Sequence, residues 1–156
     1  MFSLLCVSLC PLCLCVKKPA MHENEISEKI IGAAIEVHRY HGPGLIEKIY
    51  ENSLCHEFRL RGIAFKQQKP VPVYYKNVKV SEDLWLDLLI EDKVILDLKA
   101  KEQITAFDKA KLLSYLRLSN LKLGLLINFH EILLKDGIKR VINGTLEPTD
   151  RPDLLS

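Results

Sequence analysis

The 156 residues are 48% hydrophobic and 27% charged, with a formal net charge of +2. That is the composition of one soluble domain with a proper core; it excludes a disordered chain and leaves a nucleic-acid partner neither required nor forbidden. Neither a glycine loop for phosphates nor a dinucleotide fingerprint occurs.

The first twenty residues stand apart from the rest. Cys6, Cys10, Cys13 and Cys15 crowd into them, and only Cys55 lies in the body of the chain. No disulfide framework follows from that distribution, and a reducing cytoplasm is the natural compartment. The apolar run 1–16 is short for a membrane span, and it has the wrong flanks for a secretory signal, lacking a positive start and followed by Lys17-Lys18-Pro19. A weak anchor, a cysteine-rich metal tract and a start codon called too early all fit. The last is preferred because Met21 opens a well-formed helical pattern. Residues 1–20 are therefore read as an extension, 21–146 as the domain and 147–156 as a tail, in a protein without membrane association.

From Met21 the pattern is regular. Ile26, Ile30, Ala33, Ala34 and Val37 recur at helical spacing, which predicts an amphipathic helix over 25–40, broken by His41-Gly42-Pro43-Gly44. A second helix over 45–61 ends at Gly62 and turns Tyr50, Leu54 and Phe58 inward. Glu47 lies on that same stripe, where it either complements the helix dipole or supplies a carboxylate to a metal site. Residues 62–75 and 78–80, interrupted by Pro70, Pro72 and Lys76-Asn77, read as short strands at a sheet edge. Thr105 caps a helix running to residue 118, with Phe107, Ala110, Leu113 and Leu116 or Arg117 toward the core. An apolar run over 122–129 follows. Strand, crossover helix and strand form a right-handed unit, so this last strand is expected parallel to the strand carrying Asp97. Between residues 99 and 143 nine Lys and Arg face four Asp and Glu, a bias suited to phosphates or to a solvated face.

Between these elements, residues 84–100 form two apolar runs around Glu91-Asp92-Lys93, a buried hairpin by pattern. Asp87 interrupts the first run, and Asp97 and Lys99 interrupt the second at alternate positions. Unpaired charge inside such strands costs several kcal/mol, so these groups serve one another, a metal ion or a substrate. The turn decides which. A two-residue turn puts Asp87 and Asp97 on opposite faces, whereas a three-residue loop or a bulge sets them side by side. A metal site requires the odd loop. By alternation, Trp85 is placed on the same face as Asp87.

The spacing Asp87-x9-Asp97-x-Lys99 resembles the core signature of the PD-(D/E)XK nuclease superfamily. Gly44-Leu45-Ile46-Glu47-Lys48-Ile49-Tyr50 resembles the Gly-x-x-Glu-x-x-Tyr pattern of its bacterial and archaeal GxxExxY protein family, and the likeness runs over residues 24–144. The resemblance implies an α/β fold, a three-layer restriction-endonuclease-like core with a central mixed β-sheet flanked by helices. It also implies a cytoplasmic Mg²⁺-dependent nuclease hydrolysing phosphodiester bonds of nucleic acid, DNA before RNA. Glu47, Asp87, Asp97 and Lys99 are then catalytic, and Glu47, Asp87, Asp97 and the Leu98 backbone carbonyl hold one or two Mg²⁺ or Mn²⁺ ions. Lys99 steadies or deprotonates the attacking water, while Lys111, Trp85 and Tyr50 contact substrate. The chain departs from the family where Gln is common at Lys111 and Arg at Trp85. Those departures favour the alternative, a non-catalytic nuclease-fold binding or partner module.

Overall fold

The computed structural model describes residues 21–80 and 84–146; the extension expected at 1–20 and the tail expected at 147–156 lie outside them. Helix α1 (Glu23–His41) buries Ile26, Ile30, Ala33, Ala34 and Val37, the stripe legible in its spacing, and stops at Gly42, whose φ of 70° suits glycine. Helix α2 (Glu47–Leu60) buries Tyr50, Leu54, Cys55 and Phe58. Strand β1 (Phe65–Val71) follows, then β2 (Tyr74–Tyr75), β3 (Val78–Lys79), β4 (Leu84–Ile90) and β5 (Val94–Lys99). Helix α3 (Ala106–Ser119) crosses over to β6 (Leu123–Asn128), and a 3₁₀ turn at Leu134–Gly137 leads into β7 (Ile138–Ile142).

Five strands form one mixed sheet in the order β1-β4-β5-β6-β7, in which β5 and β6 are parallel and the other neighbours antiparallel. The crossover through α3 therefore gives the parallel pair expected of it. All six residues of β6 are buried, as a central strand covered on both faces requires. Leu88, Ile90, Leu96 and Leu98 pack with α1 and α2, while Leu89, Ile95 and Leu126 pack with Leu112 and Leu116 of α3. The result is three layers.

Two expectations are corrected. Residues 74–79 do not extend the sheet edge; β2 and β3 pair only with each other, as a separate two-stranded sheet. The paired positive φ values at Lys76 (47°) and Asn77 (66°) close a tight hairpin turn, which folds this segment on itself. Helix α3 buries Leu116 as expected, but its other inward residues are Leu112 and Asp108, and Phe107 is 76% exposed. Apolar residues occur all round this helix, so no single stripe marks its inner side. The face is selected by Gly124 of β6, where a Cβ would stand 2.9 Å from the Leu112 side chain. Leu112 fills the space that glycine leaves.

Candidate active site

The hairpin of β4 and β5 takes the odd loop. Ile90 pairs with Val94, Leu89 with Ile95 and Leu88 with Leu96, so three residues, Glu91 to Lys93, make the connection. Continued by one step, that register sets Asp87 beside Asp97. The ladder stops there, because β4 stays with β1 out to Val71–Leu84 while β5 stays with β6 out to Lys99–Asn128. The acids occupy the fork. Alternation also fails at this point: Leu86 and Leu89 share one cluster, and Phe65 packs in the α1–α2 layer while Val71 packs in the α3 layer. The β1–β4 ladder skips Gln68 and Asp87, and Gln68 has a φ of 47°. Both strands change face there, so Trp85 is not placed with Asp87 by simple alternation.

Asp97 is 4% exposed. Lys99 Nζ donates to Asp97 Oδ1 and, at 2.9 Å, to the Leu98 carbonyl. Asp97 Oδ2 is buried, and no hydrogen-bond donor among the described residues reaches it. Ionised Asp87 offers only acceptors; a protonated Asp87 donates to Asp97. Burial, that hydrogen bond and the Asp97 charge together push Asp87 up to about 7, against the opposing pull of Lys99. The Lys99 ammonium is disfavoured by burial, but its bond to Asp97 and the charges of Asp97, Glu47 and Asp87 outweigh this and raise its pKa. Two carboxylates sharing one ammonium require a further proton or a cation, so the donor set fits a hard divalent ion.

Glu47 is the first residue of α2, and the carbonyl of Gly42 and amide of Leu45 fix the loop leading to it. Tyr50 Oη donates to Gly42 O at 2.6 Å and accepts from Leu45 N at 3.1 Å, while its ring stacks on Phe129 at 4.4 Å. Tyr50 is fully buried, which corrects its reading as a substrate contact: both sides of its hydroxyl are spent on the loop that delivers Glu47. Partial burial, Asp97 and Glu51 raise the pKa of Glu47, and Lys99 and Lys111 oppose them. Glu47 arrives from the α2 layer, close enough for its charge and those of Asp97, Asp87 and Lys99 to act on one another. Among the described residues no three His, Cys, Asp or Glu side chains gather closely enough to hold a metal ion. Asp87 and Asp97 pair at the fork, and Glu47 stands within electrostatic reach of both.

The other candidates are also located. Lys111 acts on Glu47 electrostatically, and its Nζ lies 5.3 Å from the Tyr115 ring centroid. Trp85 is 55% exposed, opposite Pro70 of β1. Two groups escaped the sequence reading. Glu51, 7% exposed, accepts from Lys48 Nζ at 2.9 Å and Gln67 Nε2 at 3.0 Å; its position one turn after Glu47 was the available signal. Asn128, fully buried, donates to Lys101 O at 2.6 Å and accepts from Lys101 N at 3.1 Å, bracing the chain just past Lys99. No local pattern announces it.

A mixed sheet covered by helices on both faces, with acids and a lysine where its central hairpin forks, is a restriction-endonuclease-like α/β domain. The model of the PD-(D/E)XK nuclease superfamily matches residues 24–141, so the chain belongs to that superfamily. No curated protein and no solved structure matches it. Among the described residues no helix is long and apolar enough to cross a membrane.

Proposed function

We propose that this chain is a metal-dependent nuclease of the GxxExxY group, cleaving phosphodiester bonds in nucleic acid, with DNA as the first substrate to test and the cytoplasm as its compartment. The observation that carries the reading is buried Asp97 beside half-buried Asp87, with an acceptor oxygen of Asp97 left without a donor and Lys99 alongside. Membership of the superfamily supports it. Asp87, Asp97 and the Leu98 carbonyl would hold Mg²⁺ or Mn²⁺, one ion or two, with Glu47 contributing from the α2 side. The bound ion would supply Lewis acidity toward the phosphate and a more acidic water.

The chain's own groups have separate tasks. Lys99, with its raised pKa, keeps its proton at neutral pH; it suits orienting water and offsetting phosphate charge better than acting as a base. It must release Asp97 Oδ1 and the Leu98 carbonyl when an ion binds. Lys111 adds a second positive charge near Glu47, and Trp85 offers a ring to a base.

One observation favours a second reading. The Lys99 ammonium already satisfies two of the oxygens assigned to the metal, as a non-catalytic partner module would need. Incubation of plasmid and single-stranded DNA with wild type and Asp97→Ala, in Mg²⁺ and in Mn²⁺, separates the two. The nuclease reading expects cleavage by wild type alone; no cleavage of either substrate in either ion overturns it.

A further inference from the structure

The hairpin of β2 and β3 contributes to neither buried cluster and pairs with no strand of the main sheet. An isolated two-stranded hairpin is marginal in water, so an exposed one with apolar side chains points to a contact surface. Tyr74 is 59% exposed, Tyr75 63%, Val78 63% and Val80 54%. Its position is specific. The segment leaves β1 at Val71 and returns at Leu84, the end of the ladder toward which β5 runs from Asp97 to Lys99. Trp85 follows at once, and Asp87 lies about 10 Å along the strand from Leu84.

Its cations are grouped on the hairpin itself: Lys76 and Lys79 lie within residues 74–80, which hold no Asp or Glu, and Glu82 and Asp83 follow before β4. Lys76 Nζ stands 5.3 Å from the Tyr75 ring centroid, so cation and aromatic face are presented together. Exposed rings interleaved with ammonium groups fit unpaired bases joined by phosphates, because every base has a face to stack and every linkage a charge to neutralise. A duplex covers those faces.

We infer that the β2–β3 hairpin, with Trp85, is a stacking platform that holds unpaired bases of a single-stranded nucleic acid beside the Asp87–Asp97 fork. Its task of delivering a strand to the acids rests on the nuclease reading; the binding itself does not.

Trp85 is the only tryptophan, so its fluorescence reports on the platform directly. Full-length protein is titrated with oligo-deoxythymidine in EDTA, and with a duplex of equal length. The expected result is a change in Trp85 emission with the single strand, binding that weakens as salt rises, and much weaker binding of the duplex. Tyr74→Ala/Tyr75→Ala should weaken single-strand binding roughly tenfold or more. Lys76→Ala should lower the salt slope by about one contact. Both variants change exposed side chains, and an unchanged melting temperature checks that they fold.

Absence of single-strand binding, equal binding of duplex, or undiminished binding by the double-tyrosine variant overturns the platform. Asp97→Ala keeps the platform, so binding without cleavage by wild type in Mg²⁺ or Mn²⁺ upholds the platform and removes the nuclease. Cleavage of single strands by the double-tyrosine variant with unchanged KM does the reverse.

Discussion

Asp87 and Asp97 face each other where β4 and β5 part, and a negative charge on either is held at the expense of the other. For Asp87 the folded pKa is pushed up to about 7 from an ordinary 3.8. The folded state therefore binds more protons than the unfolded chain between these values, and stability falls as pH rises through that window. Below it both states are protonated and the effect vanishes; above it the full penalty is present. Asp87→Asn should flatten the slope of melting temperature between pH 4 and 7, and should melt above wild type at pH 8 without divalent ions. A slope identical to wild type would show that Asp87 titrates normally. Tyr50 provides the contrasting case of a residue acting through the backbone. Tyr50→Phe leaves the Gly42 carbonyl and Leu45 amide without their partner, at a cost of about 1–3 kcal/mol. Activity should fall with it because Glu47 loses its fixed approach; a variant with unchanged melting and rate would remove Tyr50 from that role.

Elements whose periodicity is one-sided were legible before any coordinates. The stripe of α1, the inward Tyr50, Leu54 and Phe58 of α2, and the uninterrupted apolar run of β6 each match their burial. The odd loop was a condition stated from register alone, and the chain meets it at Glu91 to Lys93. What escaped was set by distant partners. The inner face of α3 depends on Gly124, some distance along the chain, and the change of face at Asp87 depends on Gln68 in the neighbouring strand. Neither is a local signal. The packing of α3 gives its own test. Gly124→Ala drives a methyl to 2.9 Å from three Leu112 side-chain carbons, and should cost about 1–3 kcal/mol by chemical denaturation. Combined with Leu112→Ala, the loss should be smaller than the sum of the two single losses, since the second change vacates the space the first invades. Additive losses would mean that the two do not share one space.

For the whole molecule, the site is an unbalanced charge inside a domain that otherwise closes its core well. Glu47, Asp87 and Asp97 act on one another, and Lys99 offsets only part of their repulsion. A divalent ion that binds the folded state alone stabilises it by mass action, by about 2.7 kcal/mol at a hundred times its Kd. For a domain of this size that is a rise in melting temperature of roughly 10 °C. The rise should be larger at pH 8 than at pH 6, because below about 7 the ion competes with the proton on Asp87. Asp97→Asn removes one ligand and one repulsive charge together. It should melt at or above wild type in EDTA and respond little to Mg²⁺ or Mn²⁺. Differential scanning calorimetry of both proteins with and without millimolar ion decides the matter: if their melting is the same in every condition, the acids hold no ion, and the partner module takes the place of the nuclease.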